Sequence, residues 1–351
     1  NPMIKERIIK KILDNNQSIT IEKYIEFCLY DNHGYYTNNN ILGKSGDFIT
    51  APEISQLFGE IIGLSIYSLW KNIINQSFNL IELGPGKGTL LIDILNITKK
   101  FPKFQKSLNI KLIEINDDLM KQQKYNLKTN VLHTKNIKWV KDLTSLSPSP
   151  AIIYANEFLD CLPIRQFHHN NGTWVEKMVN FNKEDEAFFT ENKIIQDPAT
   201  LSFLNKQDHN NILEISEQRD NYFHQICKYL RKFGGVSLII DYGYYNNPNN
   251  FTLQSISNHQ RTNIFDNPGT QDITSLVNFK RLIEIAKGHN LNIYTFCSQK
   301  EFLLSHGIEK RKNIILKKCN NKQKDIIEKG YERLIDEKNM GSLFKVLIVT
   351  R

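Results

Sequence analysis

Residues 79–95, NLIELGPGKGTLLIDIL, set three glycines at every second position directly behind a short apolar run. The run is continuous and rich in Leu and Ile, as a strand buried on both faces requires. After Thr89 the apolar residues recur at helical spacing. A strand that turns into a helix through glycines lets backbone pass close beneath a bound group where side chains would collide. Spacing separates the groups that use such a turn. A phosphate loop, G-x-x-x-x-G-K-[ST], needs its lysine directly before a hydroxyl residue, but Lys87 precedes Gly88. A dinucleotide loop, G-x-G-x-x-G, places its third glycine where helix packs on strand, and Gly88 falls one residue early.

The rest of the chain alternates around this turn. NLIEL, IKLIEI, AIIYAN and VSLIIDYG read as buried parallel strands, IKWVKDL as a shorter one. TLLIDILNITKKF, DDLMKQQKYNL and EISEQRDNYFHQICKYLRKFGG read as helices between them, the last ending at Gly234-Gly235. Strand alternating with helix predicts an α/β fold with a doubly wound, mostly parallel sheet. Residues 1–78 are expected to form an N-terminal helical region and lid, and 79–351 the core. Two insertions interrupt that core, at about 159–213 and 244–275. The first carries the turn signals of a small antiparallel piece, and the second is Asn- and Pro-rich and reads as an irregular loop. Thr50, Pro52 and Glu53 have the spacing of a capped helix start, continued at helical period through ISQLFGEIIGLSIYSLWKNI.

An acidic residue followed by G-x-G-x-G, as in Glu82-Leu83-Gly84-Pro85-Gly86-Lys87-Gly88, has the loop shape of S-adenosylmethionine-dependent methyltransferases. That cofactor has no phosphate, so its carboxylate would face the helix N-terminus, and Glu82 can hold its ammonium. Glu114, closing the second strand, can accept both ribose hydroxyls. Asp142, beyond the third strand, is placed to reach the adenine amino group.

The blocks GDFITAPEISQLFGE, ELGPGKGTLLIDIL, NEFLDCLPIRQF, LIIDYG and NHQRTNIFDNPGTQDITSLVNF together resemble the MidA-like methyltransferases, in the right order from about Tyr35 to the C-terminus. The family includes a mitochondrial complex I assembly factor. The resemblance implies a class I methyltransferase-type core of seven strands with S-adenosylmethionine as donor. A protein arginine, in a partner such as a complex I core subunit, would be the acceptor. It places Gly84, Gly86, Gly88 and Glu114 at the cofactor, with Gly46, Asp47, Thr50 and Glu53 closing over it; Pro85 within the turn and Asn156 at the end of the AIIYA strand are further cofactor-binding candidates.

Arginine keeps its proton in water, and carboxylates can fix the plane of its guanidinium by paired hydrogen bonds. Glu157 and Asp160 follow the AIIYA strand, at whose carboxyl end ligands bind in open α/β sheets. They are the candidate catalytic residues, convergent if the chain turns there. Tyr35 and Tyr36 can supply aromatic walls.

Lys and Arg exceed Asp and Glu by 45 to 37. The excess is dispersed, so nucleic acid is the weaker partner, and one arginine in an acidic pocket suits a basic protein better than arginine-rich tails. An acceptor in RNA or a small molecule, and a chaperone that binds the cofactor without turnover, stay open. Five scattered cysteines with no C-x-x-C, and no His pair at zinc spacing, predict reduced thiols and no metal site. No apolar run approaches the roughly 20 residues of a membrane helix, so no membrane insertion is expected. The absence of a secretory or transit-like leader and the Asn-, Lys- and Ile-heavy composition predict a bacterial cytoplasmic protein, or the mitochondrial matrix for a eukaryotic homologue.

Overall fold

The computed structural model describes residues 2–15, 18–37, 50–131, 137–207, 209–257 and 260–351. The chain forms two units, a larger one from Ile49–Leu159, Asn221–Gly243 and Phe279–Arg351, and a smaller one from Asn1–Phe48, Asp160–Asp220 and Tyr244–Asn278.

In the larger unit the apolar runs become strands β1 (Phe78–Leu83), β2 (Leu108–Ile113), β3 (Ile137–Val140), β4 (Ala151–Asn156) and β5 (Gly235–Tyr244), joined by β6 (Asn292–Ser298) and β7 (Phe344–Thr350). Their order is β6-β7-β5-β4-β1-β2-β3. Pairing is parallel from β5 through β3, and β7 runs antiparallel between β5 and β6. This is the expected doubly wound sheet. Alternate residues Leu80, Ile152, Leu238 and Val346 join the main core on one face. Ile81, Ile153, Ile239 and Leu347, which point the other way, are equally buried. Burial on both faces is why these strands read as continuous apolar runs.

The helix predicted from Thr50 is two helices. Ala51–Ile54 ends at Ser55, whose extended backbone starts α1 (Gln56–Leu69) and whose hydroxyl accepts the Leu57 N–H. Thr50 makes no side-chain cap. Residues 49–78 therefore pack in the larger unit, through α1 against α2 (Thr89–Thr98). Two glycines one turn apart allow the approach: a Cβ at Gly59 would lie 2.4 Å from Asp93 Cβ, and one at Gly63 would lie 2.5 Å from Ile97 Cγ2. This contact locates α2, and with it the glycine turn that precedes it.

In the smaller unit helices Pro2–Asn15 and Ile21–Tyr30 share a core with Ile164, Val179, Ile264 and Ile273. The antiparallel insertion is present as Arg165–Asn170, Thr173–Phe181 and Ala187–Ile194, with Ile212–Ile215 beside the first. The stretch read as an irregular loop instead holds a three-stranded sheet, Gln254–Ser257, Gln260–Thr262 and Asp272–Thr274. Its strands are too short and too polar to show a period. Buried Arg219 joins the two insertions by donating to the carbonyls of Asp160, Leu162, Ser275 and Leu276.

Gly63→Leu drives a branched side chain into α2, and overpacking of this kind costs about 1–3 kcal/mol. We expect the unfolding free energy from urea titration to fall by that much, seen as a lower midpoint at unchanged m-value; an unaltered midpoint would show that the two helices are not tightly seated.

Candidate active site

The glycine turn leaves β1 with Gly84, Gly86 and Gly88 all in the left-handed region, at φ +61°, +54° and +82°. Only glycine adopts such a series at low cost. The Gly84 N–H donates to Ile113 O at 3.1 Å, and the Gly88 N–H closes on Pro85 O at 2.7 Å. A Cβ on Gly84 would lie 2.6 Å from the Phe158 ring, whereas one on Gly86 would meet nothing within 4 Å among the described residues. The turn is thus packed on one side at its start and open at its apex.

Around it stand the acids expected at strand ends. Glu82 is 3% exposed. Its Oε2 accepts the Tyr154 hydroxyl at 2.9 Å across the β1–β4 pair. Burial raises its carboxyl to about 8, against the lowering effect of that bond. Glu114 is buried at the end of β2, with Oε1 accepting the N–H groups of Ile115 and Asn116 and Oε2 accepting Gln123 Nε2. Burial raises it too, opposed by those bonds. Asp142 is exposed beyond β3 and caps the turn Leu143–Ser145, accepting the Thr144 and Ser145 N–H groups. The Thr144 hydroxyl and these amides hold its carboxyl below the usual value.

At the end of β4, Asn156 Oδ1 is buried with no hydrogen-bond partner among the described residues. Its Nδ2 donates to Glu157 Oε1 at 3.3 Å. Glu157 takes φ +51°, so the chain does turn there. Its N–H donates to Ile240 O, and its Oε1 accepts the Ala51 N–H at 3.0 Å. Glu157 therefore supplies the cap that Thr50 does not. Glu53 accepts the Thr89 hydroxyl and lies 4.0 Å from Lys87 Nζ, which fastens the short helix to the glycine turn. Gly46 and Asp47 lie outside the described residues.

Asp160 belongs to the smaller unit, buried in a network of its own. The Cys161 thiol donates to its Oδ1 at 3.3 Å. Tyr36 Oη lies 2.9 Å from Cys161 Sγ and 2.7 Å from Asp272 Oδ1. Burial raises the Asp160 carboxyl, against the Cys161 bond and nearby Arg219. Tyr35 is buried against Tyr36, so both tyrosines pack within this unit.

Three residues here were not singled out from sequence. Asp241, just past the part of β5 that pairs with β4, accepts the Leu159 N–H at 2.9 Å and fixes the turn after β4. The strand-end rule that selected Glu114 and Asp142 also finds it. Gln123 and Asn126 hold carbonyls of the glycine turn from α3 (Asp117–Asn130). Nothing in a polar helix marks them.

The model of an S-adenosyl-L-methionine-dependent methyltransferase family matches residues 61–297. The chain belongs to that family. The methyltransferase is 31% identical over 367 residues, 97% of this chain and 85% of the relative, to the mitochondrial protein arginine methyltransferase NDUFAF7 homolog of Caenorhabditis elegans. It is 29% identical to the mitochondrial protein arginine methyltransferase NDUFAF7 of Rattus norvegicus, over 98% of this chain and 83% of the relative. Its fold matches a Burkholderia thailandensis protein solved with S-adenosyl-homocysteine, with a TM-score of 0.85 at 22% identity, covering 100% of this chain and 92% of that one.

The residues present fit S-adenosylmethionine. Among the described residues the turn's apex is open, and Asn156 offers a buried oxygen without a donor, a need of the kind an amino group of the cofactor would satisfy. Among the described residues no group of three or more His, Cys, Asp or Glu can hold a metal, and no helix is long and apolar enough to cross a membrane.

Glu82 makes a pH prediction. Its carboxyl is raised in the fold, so between its unfolded value near 4.5 and its folded value near 8 the unfolded chain ionises first and stability falls as pH rises. Glu82→Gln removes that loss. Melting temperatures from pH 5 to 8 should slope downward less steeply in the variant, and parallel curves would count against a neutral Glu82.

Proposed function

We propose that this methyltransferase modifies an arginine of a protein partner, a complex I core subunit being the partner favoured. The observation that carries this reading is the alignment, over 97% of the chain, to a relative named as a protein arginine methyltransferase. The sequence resemblance supports the same acceptor.

When bound, S-adenosylmethionine supplies an electrophilic methyl group, so the chain's task is alignment and exclusion of water. In this reading the glycine turn and Asn156 hold the amino-acid end, Glu82 receives the ammonium, and Glu114 binds the ribose. Asp142, with one oxygen engaged in its cap, faces the adenine. Glu53 and Thr50 brace the turn from the short helix. Glu157 orients the guanidinium and stabilises the positive charge it retains, whereas Asp160, buried in the smaller unit, is given no contact with it. Glu157 suits that role because its turn is held at both backbone and side chain. The setting, bacterial cytoplasm or mitochondrial matrix, follows the partner.

The test is incubation of the enzyme with S-adenosylmethionine and purified complex I core subunits, read by peptide mass spectrometry. One singly placed methylated arginine is expected, reduced about 100-fold or more in rate by Glu157→Gln if a transition-state contact is lost, with S-adenosyl-homocysteine affinity kept within about threefold. Transfer to RNA or a small molecule instead, or binding without transfer, overturns the arginine reading. Loss of cofactor binding in Glu157→Gln would move that residue to the donor side.

A further inference from the structure

We infer that Gln123 is a positioning residue of the cofactor site, a side chain that sets the glycine turn and the ribose acid in register with each other. The inference rests on the reading of Glu114 as the ribose acceptor.

Gln123 is fully buried, an uncommon place for an amide on a helix with so few apolar residues. Its Nε2 donates to Gly86 O at 2.8 Å and to Glu114 Oε2 at 3.1 Å, and its Oε1 accepts the Trp139 indole N–H at 2.8 Å. One amide thus joins the turn after β1, the acid closing β2 and the side chain of β3. Its orientation is not ambiguous. Indole only donates, so the oxygen faces Trp139, and the two N–H groups face two acceptors.

Each bond constrains something the cofactor touches in that reading. Glu114 Oε1 is held by two backbone amides, and Gln123 fixes the other oxygen, so the carboxylate plane is set before any ligand arrives. At Gly86 the carbonyl is drawn toward α3. Because the peptide is planar and trans, the Lys87 N–H then points away from that helix. Asn126, one turn along, draws in the next carbonyl, Lys87 O, at 2.9 Å. Two successive peptides of the glycine turn are therefore anchored by two amides of one helix. A turn with three left-handed glycines has wide freedom when untethered, and binding would have to remove it.

Glutamine is required by chemistry as well as by size. Glutamate would aim acceptors at Gly86 O and Glu114. Methionine keeps the volume but abandons a carbonyl, a carboxylate and an indole N–H together.

The experiment is calorimetric titration of the full chain with S-adenosyl-homocysteine, and separately with adenosine. The proteins are wild type, Gln123→Met, Trp139→Phe, Glu114→Gln and the Gln123→Met/Glu114→Gln pair. Gln123→Met should weaken both ligands about 10-fold or more, as loss of a hydrogen bond to a charged group implies, with binding stoichiometry still near one. Trp139→Phe, which frees only the amide oxygen, should weaken them less. The double variant should bind little worse than the weaker single one, because both act through one carboxylate. A purely structural role would lower the melting temperature or the binding-competent fraction and leave the dissociation constant of the folded fraction unchanged, which overturns the inference. Wild-type affinity in Gln123→Met with weakened Glu114→Gln also overturns it and leaves the ribose reading standing. Undiminished affinity in Glu114→Gln would instead remove the ribose reading. Should Gln123→Met not fold, Trp139→Phe decides alone, and unchanged affinity there counts against the inference.

Discussion

The parallel pairing of β1 with β4, Asn79 to Leu83 against Ala151 to Ala155, is the constraint on which the site depends. From β1 the chain continues to β2 on one side, and from β4 it continues to β5 on the other. Connections that leave in opposite directions cannot cover the shared strand ends, and a crevice remains there. The glycine turn and the Asn156–Glu157 corner open onto it because each directly follows one of these two strands. The same register sets Tyr154 opposite Glu82, which is why a buried acid has a partner at all.

The acids of the crevice fall into two kinds. Glu114, Asp142, Asp241 and Glu157 all accept backbone N–H groups: Ile115 and Asn116, Thr144 and Ser145, Leu159, and Ala51 respectively. Amides stabilise an ionised carboxylate without bringing a compensating charge, so these groups are oriented before a ligand arrives. Glu82 has only a phenol and is raised to about 8. An approaching positive charge would therefore favour the ionised form of Glu82.

Much of this architecture was legible because burial on both faces writes itself into sequence as uninterrupted Leu, Ile and Val, and because a left-handed turn demands glycine. Strand ends then located Glu114 and Asn156. What stayed hidden depends on distant partners. Nothing local shows that the helix start at Thr50 is capped by Glu157, 106 residues ahead of Ala51, or that Ser55 splits the helix. The three-stranded sheet in residues 254–274 is built of Ser, Thr and Gln strands of three or four residues, with Ser255 and Thr274 buried through hydrogen bonds that composition cannot reveal. Gln123 looks like any polar helix residue until the fold turns it inward. Asp160 followed the strand-end rule in sequence, yet it bonds Cys161, Arg219 and Ser275 within the smaller unit.

The corner after β4 ties the glycine turn and the short helix at Ala51 into one mechanical piece. A non-glycine residue in the left-handed region costs about 1–2 kcal/mol, and Glu157 holds it through three constraints. Its N–H extends the β4–β5 ladder to Ile240, its carboxylate caps Ala51, and the following Leu159 N–H is taken by Asp241. The sharp turn throws the Phe158 ring onto Gly84, at a distance no Cβ would permit. The same glycine is bound by its N–H to Ile113, beside Glu114. Any side chain at position 84 would have to displace that ring and strain the corner carrying Glu157. Glycine is needed at this first position of the turn for both its backbone angle and the aromatic packed against it, whereas Gly86, with open space above, answers to backbone angle alone.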